Sequence, residues 1–293
     1  MMSTAVQTSS RRAPVPSIAQ PKRAPSRLFA GLALGLVGLS FIIPLVWILL
    51  SSVNPQASVS LSVPESLTTG NYTAVFNMDQ TFRPLWNSAI LSLGTALLTV
   101  VAGALAAYPL SRYKMRFTRG LMYTILFGTC LPITAMMVPV YSLFVRLSLL
   151  DSMSGIILFM AATSLPMAVW MLKNFMDSVP ISLEEAAWVD GASAMQTLWR
   201  IVLPLMKPGL VVVFIFVFTG AWGNFFVPFV LTFDSMKQPA AVAIYNFFGM
   251  YGTIAYGKLA AFSILYSTPV LVLYAVMQKV SGNSFALAGA VKG

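Results

Sequence analysis

Residues 28–50 read LFAGLALGLVGLSFIIPLVWILL, 23 positions without one charged side chain. At about 1.5 Å of rise per residue, a helix of this length crosses the roughly 30 Å hydrocarbon layer of a bilayer. The run is long for the apolar core of a secretory signal and shows no small-residue cleavage site after it, so it reads as a retained span rather than a leader. The paired Arg11 and Arg12 upstream lack the apolar residues that should directly follow them in a twin-arginine signal.

Five further uncharged runs follow, at approximately Asn87–Leu110, Leu121–Tyr141, Gly155–Leu172, Leu210–Leu231 and Leu259–Met277. Backbone polar groups in lipid must be satisfied within the segment, and runs this long exceed a barrel strand, so an all-α chain with six membrane-spanning helices is expected. Composition agrees: only 9% of the 293 residues are charged and 58% are hydrophobic, against about 25% charged in a soluble domain. Prolines 132, 139, 166, 228 and 269 fall in these runs and are expected to kink or interrupt them. The chain has one cysteine, Cys130, and no histidine. Disulfide frameworks, Cys/His metal centres and histidine proton relays are thereby excluded, and no metal site is expected.

The net charge of +10 is spent on topology. With six spans, one side collects Arg11, Arg12, Lys22, Arg23, Arg27, Arg112, Lys114, Arg116, Arg119, Lys173, Arg200, Lys207, Lys279 and Lys292. The other side receives only Arg83, Arg146, Lys237 and Lys258. The positive-inside rule puts the richer side, with both termini, in the cytoplasm. Nucleic acid is not needed to explain the basic balance. Residues 1–27, rich in Pro, Ser, Ala and Arg, read as a disordered cytoplasmic tail, 28–280 as the six-span domain and 281–293 as a cytoplasmic tail. Two long loops, 51–86 and 232–258, fall outside and suit contact with an external protein. One stretch imitates a nucleotide site: Gly252 to Lys258 fits the first seven places of a phosphate-binding loop. The eighth residue is Leu259 rather than Ser or Thr, no strand precedes it, and it lies on the external side.

Between the fourth and fifth spans, the cytoplasmic segment 173–208 is written differently from everything around it. SLEEAAWVDGASAMQTLWRIVLPLMKPG, residues 182–209, carries three acids and two bases. Ser182 with Glu185 has capping-box spacing, which predicts a helix from Leu183 to about Val189. Gly191 stands where a left-handed residue ends a helix. Ser193 and Gln196 repeat the capping box and predict a second helix through Met195, Leu198, Trp199 and Val202, closed by Pro204 and Pro208. A hairpin lying on anionic lipid would be basic; an acidic, alanine-bearing helix is better suited to a groove on a protein partner.

Glu185-Ala186-Ala187, then Gly191, Ile201 and Leu203-Pro204, resembles at every fixed place the EAA loop of ATP-binding-cassette importer permeases. EEAAWVDGAS and RIVLPLMKPGL are similar to the sugar-importer branch, of maltose and glycerol-phosphate type. NYTAVFN, NSAILSL, AAYPLSRYKMRF, LPITAMMVPVYSLFVRLSLLDS, FTGAWGNFFVPFVL, YGT and the final AGAVKG continue the resemblance in order along nearly the whole chain. One departure is Gly223, which separates Trp222 from Asn224.

The resemblance implies a multi-pass cell-membrane subunit forming half of a carbohydrate translocation path. Its partners would be a second, non-identical permease, two copies of a cytoplasmic ATPase, an extracytoplasmic sugar-binding protein and membrane lipid. No catalytic residue and no cofactor are implied for this chain, since ATP and Mg would be bound by the ATPase. Coupling to that ATPase would fall to Glu184, Glu185, Ala186, Ala187, Asp190, Gly191, Ala192, Ile201, Leu203 and Pro204. The C-terminal tail, with Ala288, Gly289, Lys292 and Gly293, would reach between the ATPase subunits. Thr219, Trp222 and Asn224 are candidates for the path. A secondary transporter is the main alternative, but none of the six runs holds an Asp, Glu, Lys, Arg or His to relay an ion. A non-transporting interaction protein would have little use for a docking element without a motor.

Overall fold

In the computed structural model, residues 26–113, 116–248 and 254–281 are described. The expected N-terminal disorder, the C-terminal contacts at Ala288, Gly289, Lys292 and Gly293, and the first two residues of the loop resembling a phosphate site, Gly252 and Thr253, lie outside them. The chain divides into two units, through Val46 and from Trp47 onward. The first unit is known through most of α1 (Ser26–Ser52), an apolar helix with Pro44 inside it.

In the second unit, α2 (Gly70–Val75) lies in the first long loop, and a π-turn at Met78–Phe82 leads into α3 (Arg83–Arg112). Next come α4 (Thr118–Gly128), α5 (Ile133–Arg146) and α6 (Met153–Asp177). The 173–208 segment contributes α7 (Ile181–Val189), α8 (Ala194–Thr197) and α9 (Leu203–Leu205). Then follow α10 (Lys207–Trp222), α11 (Phe226–Leu231), α12 (Ala240–Ala243) and α13 (Tyr256–Ser281).

Among the described residues, four helices are long and apolar enough to cross a membrane alone, and two bent pairs bring the number to six if each counts as one crossing. The third and fifth expected spans are therefore not straight rods. α4 and α5 meet at 88°. Pro132 is the cause: it disfavours helical backbone at Leu131 and itself adopts φ −64°, ψ 123° as the N-cap of α5. By contrast Pro139, Pro166 and Pro269 stay inside α5, α6 and α13. The fifth run stops at Gly223 and resumes as α11.

α3 and α6 form the centre of the bundle. Their contact is lined by small residues, Ala96, Ala104 and Ala107 on α3 and Ala168 on α6, all buried. A Cβ at Gly103 would stand 2.9 Å from Leu172 Cδ1, so any larger residue would have to displace the buried Leu172 side chain. Without a hydrophobic force between helices in lipid, such close van der Waals contact is what holds spans together. Val213, Val217, Phe218 and Trp222 of α10 complete the same core. A second core joins α5, the first half of α6, and Val227 and Leu231 of α11.

At the end of the bundle away from the 173–208 segment, polar side chains fix the loop after α11. Asn87 Nδ2 donates to the carbonyls of Met236 (2.9 Å) and Gln238 (3.1 Å), and Ser88 Oγ accepts from Ala240 N (2.8 Å). Asp151, just before α6, has φ +58°, and its Oδ1 accepts from Phe233 N (2.6 Å) and Asp234 N (2.8 Å). Its own amide donates to Leu231 O at 3.0 Å. The left-handed region is among the conformations an aspartate tolerates.

Candidate functional site

The two helices expected between the fourth and fifth spans form, with differences in how each begins and ends. The predicted Ser182–Glu185 capping box is not made. α7 starts at Ile181, two residues earlier, with Pro180 as N-cap at φ −59°, ψ 127° and no side-chain cap. Proline's locked φ orients the chain at position 180, so Ser182 already lies inside the first turn and cannot take the extended cap geometry.

The far end of α7 is as expected. Gly191 has φ +85°, its amide donates to Trp188 O (3.0 Å), and Ala192 N donates to Ala187 O (2.9 Å). These two bonds close a Schellman motif. The second capping box is complete: Ser193 N donates to Gln196 Oε1 (2.8 Å), and Gln196 N to Ser193 Oγ (3.3 Å). Pro204, expected to end the second helix, does not. A π-turn at Leu198–Val202 widens the helix before it, and α9 continues through the proline to Leu205. The longer i→i+5 bonds of that turn end with Leu203 N on Leu198 O, just before the residue that has no N–H. The chain then turns at Met206 (φ −92°, ψ 14°), and Ala194–Leu205 meets Lys207–Trp222 at 80°.

This segment has two faces. Inward, Glu184, Thr197, Leu198, Val202, Leu203 and Met206 are buried. Outward, Leu183, Glu185, Ala186, Trp188, Val189, Asp190, Met195, Trp199 and Pro204 are exposed, Val189 at 88%. Ala187, Ala192 and Ile201 lie half-buried between them. Such an array of apolar side chains, rimmed by Glu185 and Asp190 and held on a capped, anchored scaffold, has the character of a protein-docking surface.

Glu184, grouped in the sequence with the docking residues, turns away from them. Its carboxylate accepts from Arg112 Nε (2.5 Å) and from Tyr108 Oη (2.9 Å), and the Arg112 and Glu184 side chains are only 4% and 0% exposed. Two adjacent glutamates on a helix point about 100° apart, so if Glu185 faces out, Glu184 is directed toward the bundle. Arg112 also reaches Val179 O (3.2 Å) and Ser111 Oγ (3.1 Å). Ser111 Oγ donates to Asp177 Oδ1 (2.6 Å), whose other oxygen pairs with Lys173 (2.6 Å). The ends of α3 and α6 are thus stitched to the start of α7. Tyr108 and Arg112 were missed as site residues, because the sequence reading used Arg112 only to orient the spans. The doubled glutamate in EEAA was the available signal that one of them needs an internal cation.

The three path candidates are engaged internally. Thr219 Oγ1 donates to Ile215 O (2.7 Å) of its own helix. Trp222 is 3% exposed, donates from Nε1 to Tyr266 O (3.2 Å), and stacks on Tyr266 with ring centroids 5.6 Å apart. Asn224 Oδ1 accepts from Val227 N (3.0 Å), capping α11 after the Gly223 break.

Residues 99–283, which include the whole segment described above, match the family of binding-protein-dependent transport system inner membrane components. The chain belongs to that family. Among its relatives is the trehalose transport system permease protein SugB of Mycobacterium tuberculosis, 33% identical over 257 residues that cover 86% of this chain and 93% of the relative. The diacetylchitobiose uptake system permease protein NgcG of Streptomyces coelicolor is 30% identical over 243 residues, covering 81% of this chain and 80% of its own. Among solved structures, a chain of a bacterial ABC transporter that imports alginate aligns with a TM-score of 0.76 at 23% identity. That alignment covers 89% of this chain and 99% of the other, and it establishes the fold. As an inner membrane component with several apolar helices, the chain is a multi-pass membrane protein and a permease subunit of an ABC importer.

Proposed function

We propose that this permease is one of two non-identical membrane subunits of a carbohydrate importer, with the 173–208 segment as the element that docks a cytoplasmic ATPase. The observation that carries the reading is the two-faced segment bearing the EAA residues: anchored inward by Glu184 and Arg112, apolar outward at Trp188, Val189 and Met195. The trehalose and diacetylchitobiose permeases among the relatives support a carbohydrate substrate. Two copies of the ATPase would bind ATP and Mg, leaving this chain without catalysis or cofactor of its own. Ala288, Gly289, Lys292 and Gly293 would enter the space between those copies. The basic asymmetry of the loops supports a cytoplasmic placement of both termini and of the docking segment.

The experiment is site-specific crosslinking in the assembled complex, with Cys130 replaced and single cysteines at Ala194 and Ser60. A probe at Ala194 should crosslink to the ATPase and resist labelling from outside intact cells, while one at Ser60 should label freely. The reverse pattern overturns the topology and the docking assignment together. A sugar panel on the cognate binding protein, read as stimulated ATP hydrolysis by the complex, tests the substrate class.

A further inference from the structure

At the end of the bundle that carries the 173–208 segment, α3, α4 and α6 line an open pocket of about 650 Å3. Its lining grades from charged to apolar along both α4 and α6. On α4 and the turn before it, Arg116 and Arg119 come first, and Met122 and Leu126 follow one and two turns further into the helix. On α6, Lys173 lies near the helix end and Trp170 one turn deeper. Lys173 is already paired with Asp177, but among the described residues neither Arg116 nor Arg119 is in an ion pair. The N-terminus of α4 also opens here, and among the described residues no side chain caps its first amides. Thr118 Oγ1, on the cavity lining, is a buried hydroxyl without a hydrogen-bond partner.

The ligand this lining calls for is an anion with a long apolar substituent. Two free guanidiniums, a helix N-terminus and a hydroxyl together match a phosphate. A free phosphate or a sugar phosphate would leave Met122, Leu126 and Trp170 without a partner. Tyr123, also on the lining, and Phe127 beyond it leave α4 exposed and apolar, the surface of a helix that borders acyl chains. We propose that this cavity is a binding site for an anionic glycerophospholipid. The phosphate sits between Arg116, Arg119 and the start of α4, and an acyl chain runs along Met122, Leu126 and Trp170. Basic pockets between spans are a recurrent way of holding anionic headgroups. The site lies beside the Ser111–Asp177–Lys173 chain, so an occupant touches the same helix ends that anchor α7.

The test uses the assembled complex and native mass spectrometry, titrating phosphatidylglycerol against phosphatidylcholine of the same acyl chains. Wild type should retain phosphatidylglycerol preferentially. Arg116→Ala/Arg119→Ala should weaken that retention about 30-fold, about fivefold for each base near an anionic headgroup. Phosphatidylcholine should be unaffected, Arg116→Lys/Arg119→Lys should keep most of the preference, and Arg146→Ala at the opposite end should change nothing. Equal retention of the two lipids by wild type, or an unchanged preference in the double alanine variant, overturns the proposal. Displacement of the lipid by millimolar inorganic phosphate would reassign the cavity to a free anion. Loss of the ATPase subunit with lipid preference intact would reassign both arginines to the subunit interface. No arm reads transport, so failure here leaves the importer reading standing.

Discussion

Glu184 and Asp151 lie at opposite ends of α6, and each uses a carboxylate to tie a loop to the bundle. Asp151 is partly exposed and is answered by two backbone amides, Phe233 N and Asp234 N. Glu184 is fully buried and is answered by Arg112, itself 4% exposed, and by the Tyr108 hydroxyl. The difference is in what each end can tolerate. Backbone amides donate to any well-placed oxygen, so the Asp151 tie needs shape more than charge. A buried guanidinium needs its counter-ion, because an unpaired charge in low dielectric is far costlier than a lost hydrogen bond. The end that carries α7 is therefore held by a link that fails all at once, the opposite end by one that loosens by degrees.

The largest expected effect comes from breaking the inner tie. Glu184→Ala strands Arg112 and should destabilise the chain by about 3–5 kcal/mol, read as a lower thermal midpoint of the detergent-solubilised complex. Arg112→Met with Glu184→Leu should recover most of that loss, since an apolar pair of similar volume leaves no orphan charge. If the double variant is no better than the single, the pair is not the isolated unit described here. Next is the outer tie: Asp151→Ala should cost about 1.5–3 kcal/mol, the range for hydrogen bonds to a charged group. Asp151→Asn keeps an acceptor and tolerates φ +58°, so it should stay closer to wild type. An Asn variant as damaged as Ala would show that charge matters at both ends and erase the contrast.

Smaller effects follow within the docking segment. Gly191→Val forces a β-branched residue into the left-handed region at about 1–2 kcal/mol or more. It should insert normally yet retain less ATPase on co-purification. Ser193→Ala removes the complete capping box at about 1 kcal/mol, visible as faster amide exchange in α8. Glu185→Gln is the smallest in stability, within about 0.5 kcal/mol, since Glu185 is exposed and makes no cap. Any loss of transport in that variant would therefore report on the proposed contact with the ATPase rather than on stability.

Local signals were legible where one residue decides the geometry. Gly191 ends α7, and Ser193 with Gln196 starts α8, because turn conformation and capping depend on neighbours a few positions away. The apolar runs gave the spans for the same reason that lipid permits only helices there. What sequence missed depends on contacts distant along the chain. Pro180 displaced the first cap by two residues, a competition that spacing alone does not rank. The π-turn let the helix pass Pro204, which otherwise reads as a stop. Arg112 and Glu184 are 72 positions apart in sequence, and no periodicity connects them. Trp222 looks like a path residue by composition and is a core residue by packing against α13.

The elbow at Met206 makes the docking helix and the fifth span a bell crank. Its short arm, Ala194–Leu205, is about 18 Å long and its long arm, α10, about 24 Å, at roughly 1.5 Å per residue. The pivot is buried, and hydrogen bonds cross it on both sides, Met206 N to Val202 O and Leu210 N to Met206 O, each 3.0 Å. A crank with an 80° throw converts a push at its short arm into a swing of its long arm nearly at right angles. With the elbow stiff, a tilt of 10° at the short arm displaces the far end of α10 by about 4 Å. That far end is Trp222, directly before the Gly223 break and packed on Tyr266, so a tilt there would be felt by α13.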